Sequence, residues 1–244
     1  MVTNQSSIDS IETVAQPARL RRGRWFLPGL TSTLLAAVLA GFAPTFYLRP
    51  LFHHDTTLPM YLIVHGIILT AWYGMLVAQS FLVATGRTNL HRRFGVSGAI
   101  IAGLVVPVGL LVTAWMVPAG LAAGREPNEL GIIVIANALN QTVFTAFVTA
   151  AMVWRVKFDW HKRLLVAASV MISMPALGRL HLSPAGTLVL FLGLLAALWL
   201  YDHRTLGRIH RATVVVTVVM MADIATLLAL LQTPAVQAVV NALK

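Results

Sequence analysis

Between Gly95 and Pro118 the chain reads GVSGAIIAGLVVPVGLLVTAWMVP, without one charged side chain. About 20 apolar residues cross the hydrocarbon core of a bilayer as a helix, and this run is longer. A core helix of a soluble domain needs only one apolar stripe; here no face is polar. The stretch reads as a transmembrane helix.

Six more stretches of the same character flank it, at 27–48, 58–84, 130–154, 164–182, 185–201 and 212–232. The expected fold is therefore all-α, a polytopic transmembrane bundle of seven helices. Only Leu182-Ser183-Pro184 separates the fifth stretch from the sixth, so six helices with a re-entrant segment is the alternative. Composition agrees: 58% of the residues are hydrophobic and 11% charged, against about 25% charged in soluble domains. The mean hydropathy is +0.80.

The connecting segments alternate in charge. Arg19, Arg21, Arg22 and Arg24 precede the first stretch, and Arg87, Arg92 and Arg93 follow the second. Arg155, Lys157, Lys162 and Arg163 follow the fourth, and Arg204, Arg208 and Arg211 the sixth. The other side holds only Arg49, Arg125, Arg179 and Lys244. The positive-inside rule puts the rich side, and the N-terminus, in the cytoplasm and the C-terminus outside. A net charge of +10 would suggest nucleic acid in a soluble protein. Here the cations flank apolar spans, so the expected partner is the lipid bilayer and the expected location the cell inner membrane.

Residues 1–24 are polar and read as a disordered cytoplasmic tail, 25–232 as the membrane domain and 233–244 as a short outer tail. Trp25, Trp154, Trp160 and Trp199 fall near the inner boundary and Trp115 near the outer one, as an aromatic belt requires. Trp72 lies near mid-span. Gly95, Ala99 and Gly103, at steps of four, form a small-residue stripe suited to close helix packing. Pro107 and Pro175 are candidate kink sites. With no cysteine, thiolate metal sites and covalent c-type haem are excluded.

Three inner segments share a histidine followed by a cation: Asn89-Leu90-His91-Arg92-Arg93, Asp159-Trp160-His161-Lys162-Arg163 and Arg208-Ile209-His210-Arg211. Neutral imidazoles ligate haem iron, zinc or copper. His91, His161 and His210 are thus candidate ligands for haem b or a transition metal, with His203 as a fourth. Asp159 and Asp202 stand close enough in sequence to orient a ring. Plain interfacial anchoring remains open, as does an anionic lipid or phosphate group at this cytoplasmic rim. On the outer side His53, His54, His65 and His181 are candidate metal ligands, and Glu126 and Glu129 share a solvated loop.

Polar groups inside a span usually face the bundle interior. His65, Trp72 and Gln79 recur every seven residues and share one helix face. Asn137, Asn140, Gln141 and Thr145 lie on the fourth helix and Asp223 near the centre of the seventh. Together they outline a polar cavity among the second, fourth and seventh helices, with Asp223 and His65 as candidate proton-handling residues.

His65-Gly66, Trp72, Gln79, Leu90-His91-Arg92-Arg93-Phe94-Gly95 and His161-Lys162-Arg163-Leu164 form an ordered set covering about half the chain. It resembles a group of small bacterial polytopic membrane proteins with an HG…W…Q…LHRRxG…HKRL pattern, a group that carries no assigned substrate or reaction. A looser similarity, to membrane b-type cytochromes and small cytochrome-oxidase assembly proteins, implies histidines near several helix ends. This chain departs from the cytochrome pattern by placing its inner histidines at the boundary. Three functions follow as expectations: a histidine-ligated haem or metal protein handling electrons or metal, a binding or transport protein with a polar cavity, or a membrane enzyme acting on a lipid or isoprenoid.

Overall fold

The computed structural model describes residues 23–52 and 57–242. The chain forms a helical bundle, with no strand among the described residues. Helix α1 (Phe26–Phe42) runs into a π-helical turn, Ala43–Tyr47, where Pro44 has no N–H to continue the α-helical ladder. A short α2 (Arg49–Phe52) follows. Then come α3 (Met60–Ala84), α4 (Thr88–Ala122), α5 (Pro127–Val153), α6 (Phe158–Met171) and α7 (Met174–Leu177). Helices α8 (Pro184–Leu206), α9 (Arg211–Leu230) and α10 (Ala235–Ala242) complete it.

Six segments are long and apolar enough to cross a membrane: Phe26–Tyr47, α3, α4, α5, α8 and α9. The fifth predicted span is not among them. It is divided into α6 and α7, with a break at Ile172 and Ser173 just before Pro175. The two pieces still traverse the whole bundle. At one end His161 meets Ala151; at the other the Arg179 guanidinium lies 4.7 Å from the centre of the Phe42 ring. From Leu164 to Met171 seven of eight residues are buried. Enclosed by protein, this segment needs neither the length nor the uniform apolarity that lipid demands.

Side-chain contacts fix the polarity of the bundle. Trp25 packs on Phe81 with centroids 5.9 Å apart, and Trp154 on Trp160 at 4.9 Å. His91 meets His161 and Trp160 meets His210, so Arg24 and the three His-basic segments gather at one end, the basic face. The opposite end is marked by Tyr61 on Trp115 at 6.0 Å and a Tyr47–Thr70 hydroxyl hydrogen bond of 2.6 Å. Helix α10 packs there, with Val240 against Val117 and Val134.

Helix starts differ from the sequence reading at the basic face. α4 begins seven residues before 95 and α6 six before 164, so the first two His-basic segments lie at the starts of helices and not in loops. α8 runs five residues past 201, through Asp202, to a left-handed Gly207. Charged residues end an apolar run in the sequence, but the helices continue through them: Arg92, Arg93 and Arg204 are exposed, and Arg163 and Asp202 are buried against each other.

The small-residue stripe faces outward. Side chains added at Gly95 or Gly103 would meet nothing within 4 Å. Close approaches occur elsewhere: Gly41 lies against the Ala176 carbonyl, Gly109 against the Gln141 amide and Gly131 against Val236. Pro107 sits within α4, which is helical from Thr88 to Ala122.

Candidate functional site at the basic face

Gly86, at φ +77°, ends α3 in a left-handed turn that glycine adopts at little cost. The Arg87 amide then donates to the Leu82 carbonyl at 2.8 Å and the Gly86 amide to Val83 at 3.1 Å. This tight turn starts α4 at Thr88 and makes His91 its fourth residue. α6 starts at Phe158, so His161 is also the fourth residue of its helix.

The shared register brings the two rings together. The centroids of His91 and His161 are 6.4 Å apart and their planes meet at 87°. His161 Nδ1 lies 2.8 Å from the Ala151 carbonyl. A carbonyl only accepts, so Nδ1 carries a proton and, in the neutral ring, Nε2 holds the lone pair. From α3 the Gln79 main chain reaches the His91 ring. Two polar atoms here are left over: among the described residues, His91 Nδ1 and Gln79 Oε1 are buried without a hydrogen-bond partner. Buried polar groups are rarely left so.

His210 is placed differently. It is the N-cap of α9, four helical positions earlier than the other two, and its Nδ1 accepts the Ala212 amide proton at 3.0 Å. Its ring packs on Trp160 at 6.0 Å. Burial first, and then the Arg163 cation, hold its pKa below the ordinary 6.5, against the opposing pull of Asp159 and Asp202. The threefold likeness of the sequence is thus twofold in register. Among the described residues no group of three or more His, Asp or Glu side chains is arranged to hold a metal ion.

Asp159 and Asp202 do not orient histidine rings, as the sequence suggested. Both bind Arg163. Its side chain is fully buried, and its Nε donates to Asp202 Oδ1 at 2.9 Å and to Thr213 Oγ1 at 3.2 Å. A second guanidinium nitrogen also contacts Asp202 Oδ1. The third donates to the Asp159 carbonyl at 2.7 Å and to its carboxylate at 3.0 Å. Asp202 Oδ2 accepts from the His210 amide at 2.8 Å and from Thr213 Oγ1 at 2.6 Å. One buried ion pair so ties α6, α8 and α9 together beside His161. Burial works against the Asp159 charge, but Lys162 and Arg163 hold its pKa down to about 2.

The sequence counted Arg163 only among the basic residues of the inner side and gave Asp202 a supporting role. One signal was available: Asp202 directly follows the sixth apolar stretch, an acid among Arg204, Arg208 and Arg211.

The stripe of His65, Trp72 and Gln79 lies along the central α6–α7 segment. Gln79 is at the histidine end. Trp72 Nε1 donates to Ser169 Oγ at 3.1 Å, and the neighbouring Tyr73 hydroxyl donates to the Ser169 carbonyl at 2.8 Å. His65 lies near Arg179, a cation that disfavours a metal ion. His181 has a left-handed backbone with φ 55°; His53 and His54 lie outside the described residues. Glu129 pairs with Arg125.

The other polar residues disperse. Gln141 sits in the notch left by Gly109 on α4, its Oε1 buried and unpartnered among the described residues. Asn137 and Asn140 are half-buried, and Thr145 is exposed with its hydroxyl on the Gln141 carbonyl at 2.6 Å. Asp223, on α9, is 9% exposed and makes no hydrogen bond or ion pair among the described residues. α3 and α5 meet across Trp72 and Phe144, whose centroids are 5.4 Å apart. No protein-family model, curated protein or solved structure matches this chain.

Proposed function

We propose that this multi-pass membrane protein binds haem b at the basic face, with His91 and His161 as the two axial ligands. The carrying observation is their juxtaposition, made from equivalent positions of two helices. Imidazoles that bind one ion from opposite sides, each nitrogen about 2 Å from it, have ring centres roughly 6 Å apart; these are 6.4 Å apart. The unpartnered His91 Nδ1 and Gln79 Oε1 are the kind of buried atoms that a bound group satisfies.

Charge selects among metals. A closed zinc site takes four protein ligands, and a bare dication is repelled by Arg92 and Lys162, the cations that directly follow the two histidines. Haem brings two carboxylates that those cations suit. The Ala151 carbonyl fixes the His161 tautomer and raises the basicity of Nε2. A haem iron with two imidazoles supplies one-electron transfer. The proposed location is the inner membrane with the basic face toward the cytoplasm.

The test is the absorption spectrum and haem content of the detergent-purified protein, with haem supplied during expression. One haem per chain is expected, lost in His91→Ala and His161→Ala and kept in His210→Asn. Folded, colourless wild-type protein that takes up no added haem would sink the assignment. A second reading rests on Asp223, nearly buried within a span, where a carboxyl group is cheapest neutral and can carry a proton. It expects Asp223→Asn to stop proton-coupled uptake while leaving the haem spectrum unchanged; a proton flux unaffected by that change removes it.

A further inference from the structure

A groove of about 500 Å³ opens between α3 and α4 at the basic face, within the size range of small-ligand clefts, about 300–1,000 Å³. Gly74, Met75, Ala78, Leu82 and Phe94 line it, and Arg87 stands at its rim. Its origin is simple: Gly74 and Ala78 leave space on α3 that the large side chains around them do not fill. A Cβ at Gly74 would meet nothing within 4 Å.

The dimensions fit one leaflet. From Gly74 to the end of α3 the helix rises about 15 Å, at roughly 1.5 Å per residue. That is half of a hydrocarbon core about 30 Å thick. The groove thus runs from the rim to near the middle of the bilayer and is apolar along that length.

The rim is cationic without relief. Residues 56–125 contain no Asp or Glu, while Arg87, Arg92 and Arg93 are exposed at this end of the α3–α4 hairpin. No salt bridge among the described residues engages any of the three. Arg87 is also held in place, because its amide closes the tight turn onto Leu82. A guanidinium carried from this turn at the mouth of an apolar trough matches a phosphate attached to an acyl chain.

We infer that this groove binds one anionic phospholipid of the leaflet at the basic face, its phosphate on Arg87 and an acyl chain along α3 toward Gly74. The site does not depend on haem, and its readout is lipid mass and not colour.

Delipidated protein in detergent, offered equal amounts of dioleoyl phosphatidylglycerol and dioleoyl phosphatidylcholine, is read by native mass spectrometry. Wild-type protein should retain one phosphatidylglycerol in several-fold preference to phosphatidylcholine. Arg87→Gln should equalise the two lipids, and Gly74→Leu should reduce retention of both. Arg87→Gln, at an exposed turn, tests the site even if the groove-filling variant fails to fold. Equal retention by the wild type would overturn the inference, as would unchanged preference in Arg87→Gln. Displacement of the lipid by millimolar inorganic phosphate would assign the rim to a free anion instead.

Discussion

Arg163 Nε donates to Asp202 Oδ1 at 2.9 Å, and neither side chain has any exposed surface. Two charges removed from water are costly unless each meets a partner and further hydrogen bonds. Here Asp159, Thr213 and the His210 amide supply them. The pair holds the start of α6 against α8 and α9, and His161 lies two residues before Arg163.

Removing one partner leaves the other as an uncompensated buried charge, so Asp202→Leu should lower stability by about 3–5 kcal/mol. Arg163→Met should cost a similar amount. The double variant should recover part of the loss, since no lone charge remains. Detergent-solubilised unfolding curves for the four proteins measure the coupling; additive losses would show that the two side chains act independently.

Acid should weaken the basic face in two windows. His210 has a folded pKa below its unfolded 6.5, so the folded chain binds that proton less tightly. Its contribution is complete above 6.5 and is lost as pH falls through the folded value. Asp159, lowered from 3.8 to about 2, contributes above 3.8 and loses its effect as pH falls toward 2. His210→Asn keeps an N-cap and should flatten melting temperature against pH just below 6.5; Asp159→Asn should flatten it only below about 4. Curves of unchanged shape would contradict both assignments.

Glycine positions should sort by contact and not by sequence pattern. A Cβ on Gly41 would collide with the Ala176 carbonyl, and one on Gly131 with the Val236 carbonyl. Alanine there should cost about 1–3 kcal/mol, as overpacking does, while Gly95→Ala and Gly103→Ala should be neutral or mildly stabilising in thermal melts. The reverse order would place the helix interfaces wrongly.

Ser169 joins the central segment to α3. Ser169→Ala leaves Trp72 Nε1 without its acceptor and should cost about 1 kcal/mol, the scale of interhelical hydrogen bonds in membranes. The Tyr73 bond, made to the Ser169 main chain, should survive. Tryptophan fluorescence and thermal unfolding read the two effects.

The bundle was legible because lipid imposes its own code. Spans announce themselves as uncharged runs, and the alternation of Arg and Lys at their ends matches the gathering of basic segments at one face. The code fails where lipid is not the neighbour. α6 and α7 are enclosed by other helices, so their length and break carry no simple signal. Arg163 counted only toward the charge of the inner side, and Asp202 toward a histidine, because pattern alone does not tell a solvated rim from a buried one. The meeting of His91 and His161 was suggested by their shared motif; the exclusion of His210 was not, because helix register depends on where each helix begins. Gly95 and Gly103 show the limit of spacing, since a small-residue face packs only if another helix lies opposite.

Electron paramagnetic resonance of the oxidised, haem-loaded protein tests the central claim most directly. If His91 and His161 ligate the iron with their planes at 87°, its two π-type d orbitals would be nearly equal in energy and the low-spin ferric signal highly anisotropic. That signal is expected in the wild type, replaced by a high-spin or absent signal in His91→Ala and in His161→Ala. A protein that binds no haem, or a low-spin signal that persists in both variants, would contradict it.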